Sequence, residues 1–181
     1  MPYLAAAVVL VGVIAVLDLL LTVGVVRRLR EQADVLRELR SAPAADPAIE
    51  VILPAGRTVA EFTAGTLSGR TLSREGLTAT TLVGFFSPHC EPCREQVPRF
   101  LAYAAGFDGP VVAVAAGDGT ETAELVAELA GVAEVIVQDE NGPLEKAFGV
   151  QGYPALCLLE PGGRVVASGY GLDSLPVPAG A

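Results

Sequence analysis

Four short apolar runs, each closed by a turn signal and parted from the next by a stretch of helical spacing, dictate the kind of fold this chain can adopt. They are Thr80–Phe86, Pro110–Ala116, Val135–Val137 and Ala155–Leu159. Each is rich in apolar residues and too short for a helix, so each reads as a buried strand. Between them, Glu91 to about Gly106, Glu121–Leu129 and Pro143–Phe148 keep helical spacing. Pro143 suits the first position of its helix, and Thr120 or Asp118 suits the cap of the middle one. Pro98 falls inside the first helix, where a missing N–H predicts a kink. Pro161-Gly162-Gly163 turns the chain into a last strand, Arg164–Ser168. Thr58–Thr63 and Arg70–Leu72 flank the turn signal Ser68-Gly69, which predicts an opening hairpin. Strands alternating with helices, then a closing hairpin, predict an α/β fold: a mixed sheet with helices on both faces.

The chain has 181 residues, enough for one domain and an appendage. The appendage is the run Tyr3–Val26, whose only charge is Asp18. At about 1.5 Å per residue it can cross a bilayer core of about 30 Å. A cleaved signal peptide would want a basic start, a shorter core and a nearby small-residue cleavage site. Nothing basic precedes this run, and Ala42-Pro43-Ala44 lies well past its end. The expectation is a single retained transmembrane helix. A carboxylate near mid-membrane costs on the order of 2.5–3.5 kcal/mol, so Asp18 reads either as an off-centre acid among leucines or as a contact for another membrane protein.

Arg27–Arg40 carries five arginines against Glu31, Asp34 and Glu38 and continues the helical pattern as a basic stalk. The expected organisation is residues 1–40 as membrane helix and stalk, 41–52 as an Ala/Pro-rich linker, and 53–181 as the globular domain. From Arg57 onward there are 7 basic and 15 acidic residues, a net of 7 − 15 = −8. An acidic domain of this kind does not point to nucleic acid.

The chemistry-bearing feature is Cys90-Glu91-Pro92-Cys93, set where the first buried strand gives way to the first helix. Two cysteines at this spacing form a dithiol that can open and close as a disulfide. A thiol on the first turn of a helix meets unsatisfied backbone N–H groups and the positive end of the dipole, and both favour the thiolate. The third cysteine, Cys157, lies in the apolar run Ala155–Leu159 and reads as a small core hydrophobe.

With these elements in order, the globular part resembles the thioredoxin-like superfamily, and more narrowly the membrane-tethered TlpA/ResA-type thiol–disulfide oxidoreductases, including the accessory proteins of amine dehydrogenase maturation. Leu53-Pro54, Glu61-Phe62-Thr63 and Gly69-Arg70-Thr71-Leu72 look like the family's opening hairpin. Phe85-Phe86-Ser87-Pro88-His89-Cys90-Glu91-Pro92-Cys93 looks like its strand and active site. Phe148-Gly149-Val150-Gln151-Gly152-Tyr153-Pro154 looks like its cis-proline segment, and Glu160-Pro161-Gly162-Gly163-Arg164-Val165-Val166 is similar to its closing hairpin.

The resemblance implies that Cys90 attacks and Cys93 resolves. It implies a cis bond at Pro154, with the backbone of Tyr153 offered to an extended substrate strand beside Cys90. Pro92 would stiffen the turn, while Glu91 would oppose thiolate formation. His89 stands where the family commonly has tryptophan. It reads either as a group that stabilises the Cys90 thiolate when protonated or as a solvent-facing neighbour. The family's final helix looks curtailed, since Leu172–Ala181 holds two prolines and a glycine.

No cofactor and no metal is expected. The expected partners are a protein thiol or disulfide and a membrane electron donor. Two other functions stay open. A peroxiredoxin-like peroxidase would use Ser87, three residues before Cys90, although Val83 stands where that family has proline. A copper site would use Cys90, Cys93 and His89. For location, five arginines after the apolar run and none before it place the domain in the cytoplasm by the positive-inside rule. The resemblance places it at the cell membrane with the domain outside the cytoplasm, and this is the expected location.

Overall fold

A computed structural model describes residues 50–177. The expected transmembrane helix, the stalk, and the linker up to residue 49 lie outside the described residues. Among those that are described, no helix is long and apolar enough to cross a membrane.

The elements follow the order the sequence predicts. A short hairpin, β1 (Thr63–Gly65) and β2 (Thr71–Ser73), precedes β3 (Thr81–Phe86), α1 (Glu91–Ala105), β4 (Val111–Ala116), α2 (Ala123–Leu129), β5 (Glu134–Gln138), α3 (Pro143–Phe148), β6 (Ala155–Glu160) and β7 (Arg164–Gly169). A single 3-10 turn, Leu172–Ser174, follows. The main sheet has five strands in the order β5-β4-β3-β6-β7. β3, β4 and β5 run parallel, and β6 and β7 are antiparallel to their neighbours. The mixed sheet is as expected. β3 is its middle strand, which explains why every residue of Thr81–Phe86 is buried.

Alternation along β3 divides the core in two. Val83 and Phe85 face one side, where they meet Phe62, Phe148 and the inner residues of α3. Leu82 and Phe86 face the other, against Val97 and Phe100 of α1 and Leu129 of α2. Helices therefore cover both faces. Gly84 shares the α1 face because nothing larger fits: a Cβ there would lie 2.7 Å from Phe86 Cε2 and 2.9 Å from Phe100 Cε2. The space serves an edge-on contact between the Phe86 and Phe100 rings, with centroids 5.1 Å apart.

Several boundaries differ from expectation. The first strand of the opening hairpin is Thr63–Gly65, not Thr58–Thr63. Residues 58–62 are spent elsewhere: Val59 N–H donates to Gly163 O, Ala60 N–H donates to Ala147 O, and Val59 and Phe62 are core residues. Val51 and Ile52, assigned to the linker, are buried in the same core, and Gln151 N–H donates to Val51 O. Their apolar side chains were the signal, outweighed by the Ala/Pro-rich stretch before them. α2 begins at Ala123 rather than Glu121, because the Asp118 carboxylate holds the N–H groups of Thr120 and Glu121 in a preceding turn. α1 runs through Pro98 as one 15-residue helix.

Candidate active site

Central position and polarity of β3 decide where the cysteines go. Its C-terminal end, Phe86, delivers the chain to a three-residue loop, Ser87-Pro88-His89, and then to the start of α1. Ser87 is 3 % exposed. Its carbonyl accepts the Cys90 N–H, and its hydroxyl donates to Glu140 Oε1 at 3.3 Å while facing His89 N at 3.4 Å.

Cys90 is the N-cap of α1, in extended conformation. Its sulfur accepts the backbone N–H of Cys93 at 3.1 Å, the bond an N-cap oxygen would ordinarily make. The helix start thus places a donor on the sulfur where thiolate charge would develop. Cys93 lies one turn further in and is 2 % exposed, whereas Cys90 is half-buried. The two sulfurs are joined as a disulfide, with Cα atoms 5.2 Å apart. Glu91 and Pro92, at the first two positions of α1, are exposed.

His89 is also exposed. Its Nε2 lies 3.1 Å from Glu121 Oε2, in the loop between β4 and α2. A copper site would need this imidazole beside the sulfurs, and the peroxidase reading would want the Ser87 hydroxyl there. The first is paired with Glu121 and the second with Glu140.

On the opposite wall, the Tyr153–Pro154 bond is cis, as the resemblance implied. Pro154 is buried and Tyr153 half-buried. Burial raises the Tyr153 hydroxyl's pKa well above its ordinary value, helped by a hydrogen bond to the Glu145 carboxylate and by the charges of Glu145 and Glu140. Cys90 and Tyr153 line one cleft of about 390 Å³, with Glu140, Glu145 and Gln151 among its other walls. On the Cys93 side, a second cleft of about 370 Å³ opens between α1 and α2, lined by Val97, Pro98 and Leu125. Cys157 sits inside the core, its thiol pushed far up in pKa by burial.

The structure therefore brings Cys90, Cys93, Tyr153 and Pro154 to one end of the sheet and turns His89 aside. Sequence reasoning missed Glu140 and Glu145. Glu145 is 4 % exposed in a helix of six residues, too short for periodicity to reveal which side faces inward.

No family model matches the sequence, and no curated protein is significantly similar to it. Solved structures do resemble the fold. The thioredoxin domain of a Bacteroides vulgatus thiol–disulfide oxidoreductase is 20 % identical, with 68 % of this chain and 93 % of that one covered at a TM-score of 0.56. A thiol:disulfide interchange protein from Bacteroides sp. is 20 % identical, with 64 % and 81 % covered and a TM-score of 0.54. A secreted disulfide oxidoreductase of Mycobacterium tuberculosis is 22 % identical, with 58 % and 80 % covered and a TM-score of 0.50. The described domain has the thioredoxin fold, and its neighbours of that fold are thiol–disulfide oxidoreductases.

Proposed function

We propose that this thioredoxin-fold protein is a membrane-tethered thiol–disulfide oxidoreductase that reduces protein disulfides through Cys90 and Cys93. The observation that carries the reading is the Cys90–Cys93 disulfide at the N-terminus of α1, opening on the cleft that Tyr153 lines. In the reduced protein, the Cys90 thiolate attacks one sulfur of a substrate disulfide. A mixed disulfide forms, and the substrate's other sulfur leaves as a thiolate that takes up a proton. Cys93, having lost its proton, then attacks the Cys90 sulfur, closes the internal disulfide and releases the second substrate thiolate. Two electrons pass from the dithiol to the substrate, and a membrane electron donor returns them. The Cys93 N–H on the Cys90 sulfur and the helix dipole favour the attacking thiolate. Tyr153 lends its backbone to the substrate chain.

The tether is the apolar run Tyr3–Val26, and the domain is proposed to lie outside the cytoplasm. A tethered reductase is useful where soluble thioredoxin cannot reach, although the five arginines of the stalk favour the opposite orientation. The reduced full-length protein should reduce a disulfide-bonded protein such as insulin, and Cys90→Ser should abolish this. Retention of the activity in Cys90→Ser would overturn the reading. Labelling of Cys90 in intact cells by a membrane-impermeant thiol reagent tests the orientation.

A further inference from the structure

The carboxylate of Glu145 is an expensive group in its position. It is 4 % exposed, lies on α3 beside the core residues Leu144, Ala147 and Phe148, and makes no salt bridge among the described residues. Burying a carboxylate without a cation is costly unless hydrogen bonds compensate. Here they do. Oε2 accepts the Asn141 N–H at 2.7 Å, Oε1 accepts from Gln138 Nε2 at 3.2 Å, and Tyr153 lines the same cleft as this carboxylate. An alanine would fill this helix position without the penalty. The carboxylate therefore does something that packing does not require.

What it joins is informative. Gln138 ends β5, Asn141 belongs to the turn before α3, and Tyr153 stands on the wall of the cleft that contains Cys90. The same turn carries Glu140, which accepts from the Ser87 hydroxyl, and the Ser87 carbonyl accepts the Cys90 N–H. Hydrogen bonds thus tie the cysteine loop to Glu140 through Ser87, and the next residue of that turn, Asn141, to Glu145, which lines the cleft together with Tyr153 and Cys90.

We propose that Glu145 is a positioning residue for an extended peptide substrate: through Tyr153 it fixes the cleft wall against which the chain lies while its disulfide meets Cys90. The inference rests on the oxidoreductase reading. It assigns Glu145 to the binding of peptide chains and not to the chemistry at sulfur, so its loss weighs on peptide disulfides more than on disulfides without a chain to dock.

The test compares the reduced full-length wild-type protein with Glu145→Ala, Glu145→Gln and Tyr153→Phe. Two substrates are used: a synthetic peptide with one internal disulfide, and hydroxyethyl disulfide. The quantity read is the ratio of kcat/KM for the peptide to that for the small disulfide. One lost hydrogen-bonded contact predicts a fall of about 5–15-fold in that ratio for Glu145→Ala and Tyr153→Phe, carried by the peptide's KM and not its kcat. Glu145→Gln keeps an oxygen for Asn141 and Tyr153, and its ratio stays within about threefold of wild type. A ratio unchanged in both Glu145→Ala and Tyr153→Phe overturns the proposal, as does a Glu145→Gln loss equal to that of Glu145→Ala. If Glu145→Ala does not fold, Tyr153→Phe and Glu145→Gln decide. A wild-type protein inert toward both disulfides would instead overturn the oxidoreductase reading, and this inference with it.

Discussion

His89 Nε2 lies 3.1 Å from Glu121 Oε2, so the chain's one histidine is held by the loop after β4 even though it directly precedes Cys90 in sequence. Both side chains are substantially exposed, and an exposed pair of this kind is worth about 0–1 kcal/mol. Protonated His89 then has its charge largely answered by Glu121. Replacement by alanine should leave the Cys90 pKa of the reduced protein within about 0.3 of wild type, given 1.36 kcal/mol per unit. Thiolate absorbance against pH measures this. A rise of about one unit in His89→Ala would restore the imidazole to the mechanism.

The two cysteines should separate cleanly in single variants. Cys90 is half-buried on the cleft, whereas Cys93 is 2 % exposed. Reduced Cys93→Ser should therefore accumulate a mixed disulfide with substrate, because Cys90 can attack and nothing resolves the product. Cys90→Ser should trap none. Non-reducing mass spectrometry of each variant after incubation with a peptide disulfide reads the outcome. Trapping on Cys93 in the Cys90→Ser protein would reverse the assigned roles.

Much of this arrangement was legible in the sequence because the informative residues are local. The run Thr81–Phe86 announces its strand by composition, the cysteine pair announces the helix start, and Pro143 marks the first turn of α3. The opening hairpin was misplaced for a physical reason: Val59 and Phe62 read as strand residues, but their backbone pairs with distant segments around Gly163 and Ala147 instead of with β2. Glu145 was illegible for a similar reason. Its environment is assembled from Gln138, Asn141 and Tyr153, which no spacing rule connects. The pairing of His89 with Glu121 likewise spans 32 positions and depends on two loops meeting at one end of the sheet.

Gly84→Ala should be among the most damaging single-methyl changes in the domain. The added Cβ falls 2.7 Å from the Phe86 ring and 2.9 Å from the Phe100 ring, both fully buried. Neither ring can retreat without disturbing their edge-on contact or lifting α1 from the sheet. Overpacking of this sort costs about 1–3 kcal/mol. Urea unfolding of Gly84→Ala against wild type reads the difference. A loss below about 0.5 kcal/mol would mean that α1 yields more easily than its packing suggests. Because α1 also carries the cysteines at its start, the variant should lose peptide reductase activity along with stability.

Alkaline pH should destabilise the protein chiefly through two groups that burial keeps neutral, with Tyr103, whose pKa burial also raises, adding to the slope. The native pKa of Cys157 is raised above its ordinary 9.0 by burial. That of Tyr153 is raised above 10.0, first by burial and then by the neighbouring Glu145 and Glu140. The folded state thus holds both protons at a pH where the unfolded chain releases them. Their contribution to stability is complete below about pH 9 and is lost progressively above it, Cys157 first and Tyr153 next, each at up to 1.36 kcal/mol per pH unit. Urea midpoints of the oxidised protein should hold from about pH 8 to 9 and fall progressively from there to about pH 10.5. With the active-site cysteines bonded, neither contributes to the slope. Cys157→Ala should flatten the curve from about pH 9, and Tyr153→Phe from about pH 10, although each variant starts from a different stability. Curves for Cys157→Ala and wild type that stay parallel throughout would show that the core does not keep this thiol protonated.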